Sequence, residues 1–307
     1  MESLHRTIGV IISACFLIVI LTGCGKGPEE DGRELKTITI GSKHFTEQEI
    51  IAEIMAQMIE MNTDMKVIRK FNLGGTMVCF NALKSGDIDL YAEYTGTGLV
   101  NILKRKAQND PEEVYQVVKE TFHEEFGLVW LKPFGFNNTY TLTMRKRHAE
   151  KLGIKRISDI ALHRNLLQPG FDAEFLERPD GYPGLAKKYG FTFKKRPKQM
   201  DPGLMYKACA EGAVDIIDGF ATDGRISAYN LFVLEDDRSF FPPYYAAPLV
   251  REEVLAGNPK IDNVLIRLAG TISDETMQRL NFQVDKEEKR ASLVARNFLL
   301  ERKLIGE

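Results

Sequence analysis

The chain has 307 residues, with 41 Lys and Arg against 43 Asp and Glu, for a formal net charge of −2. A balance this near neutral, with no basic tract, leaves no electrostatic footprint for nucleic acid or any other polyanion. Of its four cysteines, Cys15 and Cys24 belong to the N-terminal segment. Cys79 and Cys209 fall in apolar helical contexts outside any metal-ligand spacing, so they read as buried free thiols, with pairing as the alternative.

Residues 1–23 read as a signal peptide. The run "TIGVIISACFLIVIL" is long enough for a signal core but shorter than the roughly 20 residues a membrane-spanning helix needs. It ends in "LTGC" (21–24), which resembles a bacterial lipobox, a signal in which the cysteine is lipidated and becomes the new N-terminus. An ordinary signal peptide or a short anchor is the alternative. Residues 24–35, rich in Gly, Pro and Glu, read as a flexible tether. The mature protein is therefore expected to be extracytoplasmic, held to a membrane by lipidated Cys24.

The stretch 36–307 exceeds one typical core and points to two lobes. "KTITIG" alternates as a strand, and "TEQEIIAEIMAQMIEM" follows as a helix burying Ile50, Ile51, Ile54, Met55, Met58 and Ile59, with Thr46 and Glu49 as an expected capping box. "MKVIRKFNLG" reads as a strand, "TMVCFNALKSG" as a helix closed by Gly86, and "DIDLYAEY" as a third strand. This alternation predicts an α/β fold with a mostly parallel sheet. Helical segments at "MRKRHAEKLGI", "SDIALHRNL", "YPGLAKKYGF" and "DPGLMYKACAEG" precede another strand, "AVDIIDGF", and the last sixty residues are mainly amphipathic helix.

An internal match organises the chain. "ALKSGDIDLYAEY" (82–94) and "ACAEGAVDIIDGF" (208–220) superpose without a gap: Gly86 with Gly212, Asp89 with Asp215, Tyr94 with Phe220, each pair 126 positions apart. Two similar lobes would each raise one aromatic ring at the carboxyl end of an equivalent strand, where open α/β sheets bind ligands. "FNNTYTLTM" (136–144) and "FFPPYYAAPLV" (240–250) read as the strands that cross between the lobes. They bring Tyr140 and Tyr244 or Tyr245 to the hinge. The expected division is 36–139 with 246–307 for the first lobe and 140–245 for the second.

Rings converging from four segments suit a cation with no N–H to donate, a quaternary ammonium, held by ring faces at roughly 0.5–2 kcal/mol each. Lys43, just before the first helix, and Arg178, in a turn-rich loop of the second lobe, are candidates to grip a carboxylate at the other end, with Thr97 adding a hydroxyl.

The blocks "ITIGSKHFTEQEIIAEI", "NLGGT", "ALKSGDIDLYAEYTGTGL", "FNNTYTLTM", "EFLERPDGYPGL", "ATDGRI" and "DDRSFFPPYYAAPLV" resemble the osmoprotectant-binding family. These are substrate-binding proteins of ABC importers for glycine betaine, choline, carnitine and related compounds. The resemblance runs in order over nearly all of the mature chain. It implies an α/β, two-lobed type II periplasmic-binding-protein fold with a hinged cleft, no cofactor and no catalysis. A monomer would pass a small zwitterionic or cationic ligand to a permease and an ATPase on separate polypeptides. By the family pattern, Tyr94, Tyr140, Phe220 and Tyr244 form the cage, and Lys43, Arg178 and Thr97 meet the carboxylate. The family often has tyrosine where this chain has Phe220, which keeps the ring face and loses a hydroxyl. Some relatives bind other betaines such as ergothioneine.

Enzymatic readings find little support. Four histidines outside the signal are scattered without metal spacing, and no GxSxG, P-loop or GxGxxG pattern occurs. A type II fold enzyme and a lipid-anchored sensor remain as alternatives.

Overall fold

β-Branched and aromatic runs alternate with helices as far as Arg251, and helices follow; the computed structural model describes residues 37–306. The signal segment, Cys24 and the tether lie outside these residues. The strands are β1 (Thr37–Gly41), β2 (Lys66–Lys70), β3 (Leu90–Tyr94), β4 (Leu128–Trp130), β5 (Tyr140–Arg145), β6 (Pro169–Phe171), β7 (Lys198–Gln199), β8 (Ile216–Phe220), β9 (Leu231–Val233) and β10 (Ala246–Arg251). They form two five-stranded sheets with the same topology, β2-β1-β3-β10-β4 and β7-β6-β8-β5-β9. In each sheet the antiparallel strand beside the central one is the first strand after a crossing from the other sheet: β5 after β4, and β10 after β9.

The internal match has a structural cause. Helix α2 (Thr76–Ser85) ends at Gly86 with φ +81°, and helix Pro202–Glu211 ends at Gly212 with φ +83°, both in the left-handed region that glycine adopts without strain. After each glycine an aspartate joins the central strand to its neighbour. Asp89 Oδ2 accepts the Thr39 N–H at 2.7 Å, and Asp215 Oδ2 accepts the Gln168 N–H at 2.9 Å. Each aspartate also pairs with the arginine that ends the returning strand, Arg251 at 3.4 Å and Arg145 at 2.7 Å.

Helix α1 (Thr46–Asn62) buries all six predicted apolar residues, because one side lies on the first sheet and another is covered by helix Ala291–Glu301. The capping box expected at its start does not form. Phe45 is the N-cap, in extended conformation with no side-chain bond, and Thr46 lies inside the helix, where its hydroxyl donates to Asp285 Oδ1 at 2.5 Å. The hydroxyl is thus used to tie α1 to helix Asp274–Asp285, and Phe45 is left to face the cavity described below. Cys79 and Cys209 are free and buried. No helix among the described residues is long and apolar enough to cross a membrane.

Candidate ligand-binding site

A cavity lies where the carboxyl ends of the two sheets face each other. Lys43, Tyr94, Thr97, Tyr140, Arg178, Phe220 and Tyr244 all line it. Tyr94 ends β3 and Phe220 ends β8; in the antiparallel ladders they stand opposite Ala246 and Tyr140. Register therefore delivers three of the four rings, and the second crossing delivers Tyr244 two residues before β10. Tyr245 does not line this cavity and lines a separate groove.

The rings pack at angles. Tyr140 lies 5.4 Å from Phe220, tilted 36°, and 5.5 Å from Tyr244, edge to face at 89°. A fifth ring belongs to the group: Phe45 stacks 6.3 Å from Tyr94 and 5.7 Å from Phe220. Burial pushes the Tyr94, Tyr140 and Tyr244 hydroxyls well above the usual phenol range, so the faces belong to neutral phenols.

Both candidate cations are buried and already have anionic partners. Lys43 Nζ lies 2.6 Å from Glu93 and 3.0 Å from the Thr76 hydroxyl, and 5.2 Å over the Tyr94 ring. Arg178 forks onto Asp180 at 2.9 and 2.6 Å, donates to Thr97 Oγ1 at 3.1 Å and reaches Glu174 at 3.3 Å. Its guanidinium lies 5.3 Å over Tyr140 and 6.0 Å over Tyr244. The Tyr244 hydroxyl donates to Asp180 at 2.7 Å, fixing that ring to the same ion pair. Removing one member of such a pair would leave a buried charge uncompensated, which is what makes the arrangement rigid.

Tyr94 is fixed through its hydroxyl as well. It donates at 2.8 Å to Glu47 Oε1, which also accepts from Asn138 at 2.8 Å; Oε2 accepts from Thr222 at 2.5 Å and Asn281 at 3.0 Å. Burial raises the Glu47 pKa against the lowering of its four donors. One carboxylate thus joins α1, β3, the first crossing, the loop after β8 and helix Asp274–Asp285.

With this geometry, the comparison with known proteins is decisive. A family model described as the substrate binding domain of ABC-type glycine betaine transport system matches residues 36–301. The chain belongs to this family. Its relatives include the carnitine transport binding protein OpuCC of Listeria monocytogenes, 40% identical over 284 residues, covering 92% of this chain and 91% of that protein. The ergothioneine transport permease/ergothioneine binding protein EgtU of Helicobacter pylori (strain G27) is 37% identical over 93% of this chain and 51% of its own length. A solved glycine betaine/carnitine/choline ABC transporter structure aligns with a TM-score of 0.72 at 34% identity, over 87% of this chain and 99% of that one. The two-lobed binding-protein fold of the glycine betaine transport family, with a cleft between lobes and crossing strands as hinge, is thus the fold of this chain, and the family is one of substrate-binding domains, not enzymes.

Sequence reasoning about this family member missed the second partners of its site: Phe45, Glu47, Glu93, Glu174 and Asp180. A signal existed for two of them. Glu93 is an acid inside the otherwise apolar strand "LYAEY", and Asp180 follows Arg178 by two residues. Phe45 was hidden by the expected capping box, and Glu47 and Glu174 meet partners far away in the chain.

Proposed function

We propose that this protein captures a quaternary-ammonium osmoprotectant, glycine betaine or a similar compound, between its lobes and delivers it to a separate ABC permease and ATPase. The cation sits among Tyr94, Tyr140, Phe220 and Tyr244, and the polar end of the ligand points toward Lys43, Arg178 and Thr97. Lipidated Cys24 holds the protein, as a monomer, on the outer side of the membrane. The observation that carries this reading is the convergence of four aromatic rings, from four segments, on one cavity. Four faces at roughly 1 kcal/mol each, with water excluded and the polar end bonded, reach the scale of micromolar binding, about −8 kcal/mol.

Ergothioneine is the second reading. It also carries a trimethylammonium group, and the similarity to an ergothioneine-binding protein supports it. Calorimetric titration of ligand-free protein with glycine betaine, choline, carnitine, proline betaine, ergothioneine and glycine tests both. Saturable binding of a methylated compound with glycine silent is expected, and the tightest ligand decides between the readings. Binding of glycine with the methylated compounds silent would reduce the rings to a packed hinge. For the anchor, Cys24→Ala should release the exported protein from the membrane fraction.

A further inference from the structure

The polar end of the cavity already holds a carboxylate of the protein's own. Glu174, from helix Ala173–Glu177 of the second lobe, crosses the cleft to the start of α2 in the first. Its Oε1 accepts the Thr76 N–H at 2.5 Å, and its Oε2 accepts the Thr76 hydroxyl at 2.9 Å and Arg178 Nη1 at 3.3 Å. Helix α2 has glycine at its N-cap and no side-chain cap of its own, so a residue 98 positions away fills that role. Space is left for it: a Cβ on Gly75 would collide with Glu174 Oε1. Lys43, through Thr76, and Arg178 directly both lean on this carboxylate, and together with Thr76 they hold its pKa below the usual carboxylate range although burial opposes them.

The charges around that end are therefore committed. Lys43 is paired with Glu93, Arg178 with Asp180, and Glu174 adds a third anion to two cations. A ligand carboxylate arriving there would face the Glu174 charge at short range in a water-poor cleft, with no unpaired cation to repay its own dehydration. A ligand hydroxyl would instead donate to Glu174 at no like-charge cost. The same negative charge strengthens the hold on the ligand's ammonium.

We propose that Glu174 sets the ligand preference of the cavity: by occupying the anion-accepting end, it favours methylated ammonium compounds ending in a hydroxyl, of the choline class, over those ending in a carboxylate. This rests on the reading of the cavity as a quaternary-ammonium site. Two variants separate the carboxylate's charge from its position. Glu174→Gln removes the charge. Gly75→Ala keeps the charge and pushes the carboxylate off its seat, and the Gly75 backbone, at φ −79°, is open to alanine.

The test is calorimetric titration of wild type and both variants with choline and with glycine betaine. Wild type is expected to bind choline at least tenfold more tightly. Each variant is expected to shift the choline-to-betaine ratio at least tenfold toward betaine. An unchanged ratio in both variants, with both ligands titrating, overturns the role of Glu174 and leaves the ammonium site standing. If neither ligand titrates on wild type, the site reading fails and this proposal goes with it.

Discussion

The ends of β3 and β8 are two copies of one design with different anchoring. Both follow a left-handed glycine and an aspartate clasp, and both close on an aromatic ring facing the cavity. Yet Tyr94 is tied by its hydroxyl to buried Glu47, whereas Phe220 is bonded through its backbone alone, its N–H donating to the Tyr206 hydroxyl at 2.9 Å and its carbonyl accepting from Asp223, and its ring is held by packing. The preceding positions differ more. Glu93 pairs with Lys43, and its counterpart is Gly219, where a Cβ would lie 2.8 Å from the Thr141 hydroxyl. The backbone repeat sets where a ring can stand. Side chains from other elements decide how firmly it stands and what charge lies beside it.

That comparison can be broken most severely at Glu47. Glu47→Ala would leave the Tyr94, Asn138 and Thr222 donors without this acceptor at about 1 kcal/mol or more each, Asn281 keeping the Thr222 carbonyl, so a loss of about 3–5 kcal/mol in denaturant unfolding is expected. A loss under about 1 kcal/mol would mean that the donors find water and that Tyr94 is not anchored there. Next comes the ring itself. Tyr94→Ala should weaken choline or betaine binding by at least tenfold, while Tyr94→Phe should cost only a few-fold in affinity and about 1–2 kcal/mol in stability, because the face attracts the cation and the hydroxyl serves Glu47. Equal affinity losses in the two variants would sink the cation–π account.

Phe220→Tyr makes the two copies alike and sharpens the contrast. Since the ring face is unchanged, affinity should stay within about threefold of wild type by titration. A larger change would show that a hydroxyl at that ring contacts the ligand. The smallest effect is expected in acid. The folded pKa of Glu174 lies below its reference of 4.5, so its contribution to stability is present above pH 4.5 and is lost as pH falls through the depressed folded value. Acid unfolding of Glu174→Gln should therefore lack a small part of the wild-type slope below pH 4.5. Superimposable slopes would show that the carboxylate is not held by Lys43 and Arg178.

The parts of the site that were legible in the sequence are those fixed by short-range periodicity. Tyr94 and Phe220 stand at strand ends that a helix–glycine–aspartate pattern marks, and Tyr140 and Tyr244 lie in aromatic runs of evident strand character. Thr46 misled because a threonine followed three residues later by glutamate satisfies the capping pattern only if the threonine is the cap, whereas the helix starts at Thr46 with Phe45 at the cap. Lys43 and Arg178 were found as cations, but their pairing with Glu93, Asp180 and Glu174 was missed, although Glu93 and Asp180 left a trace in the sequence. Glu174 meets Thr76 across 98 residues, and Glu47 meets Thr222 across 175.

What the sequence determined by itself was the alternation of strands and helices, the duplicated lobe and four of the five rings, because these follow from local backbone preference and from residue periodicity. Only the tertiary structure decided which charges are spoken for. Burial makes a partner obligatory but leaves its identity open: Lys43 takes Glu93 from a neighbouring strand, Arg178 takes Asp180 and Glu174 from its own loop and helix, and the chain crossings decide that Glu174 also reaches Thr76 and that Glu47 reaches Thr222.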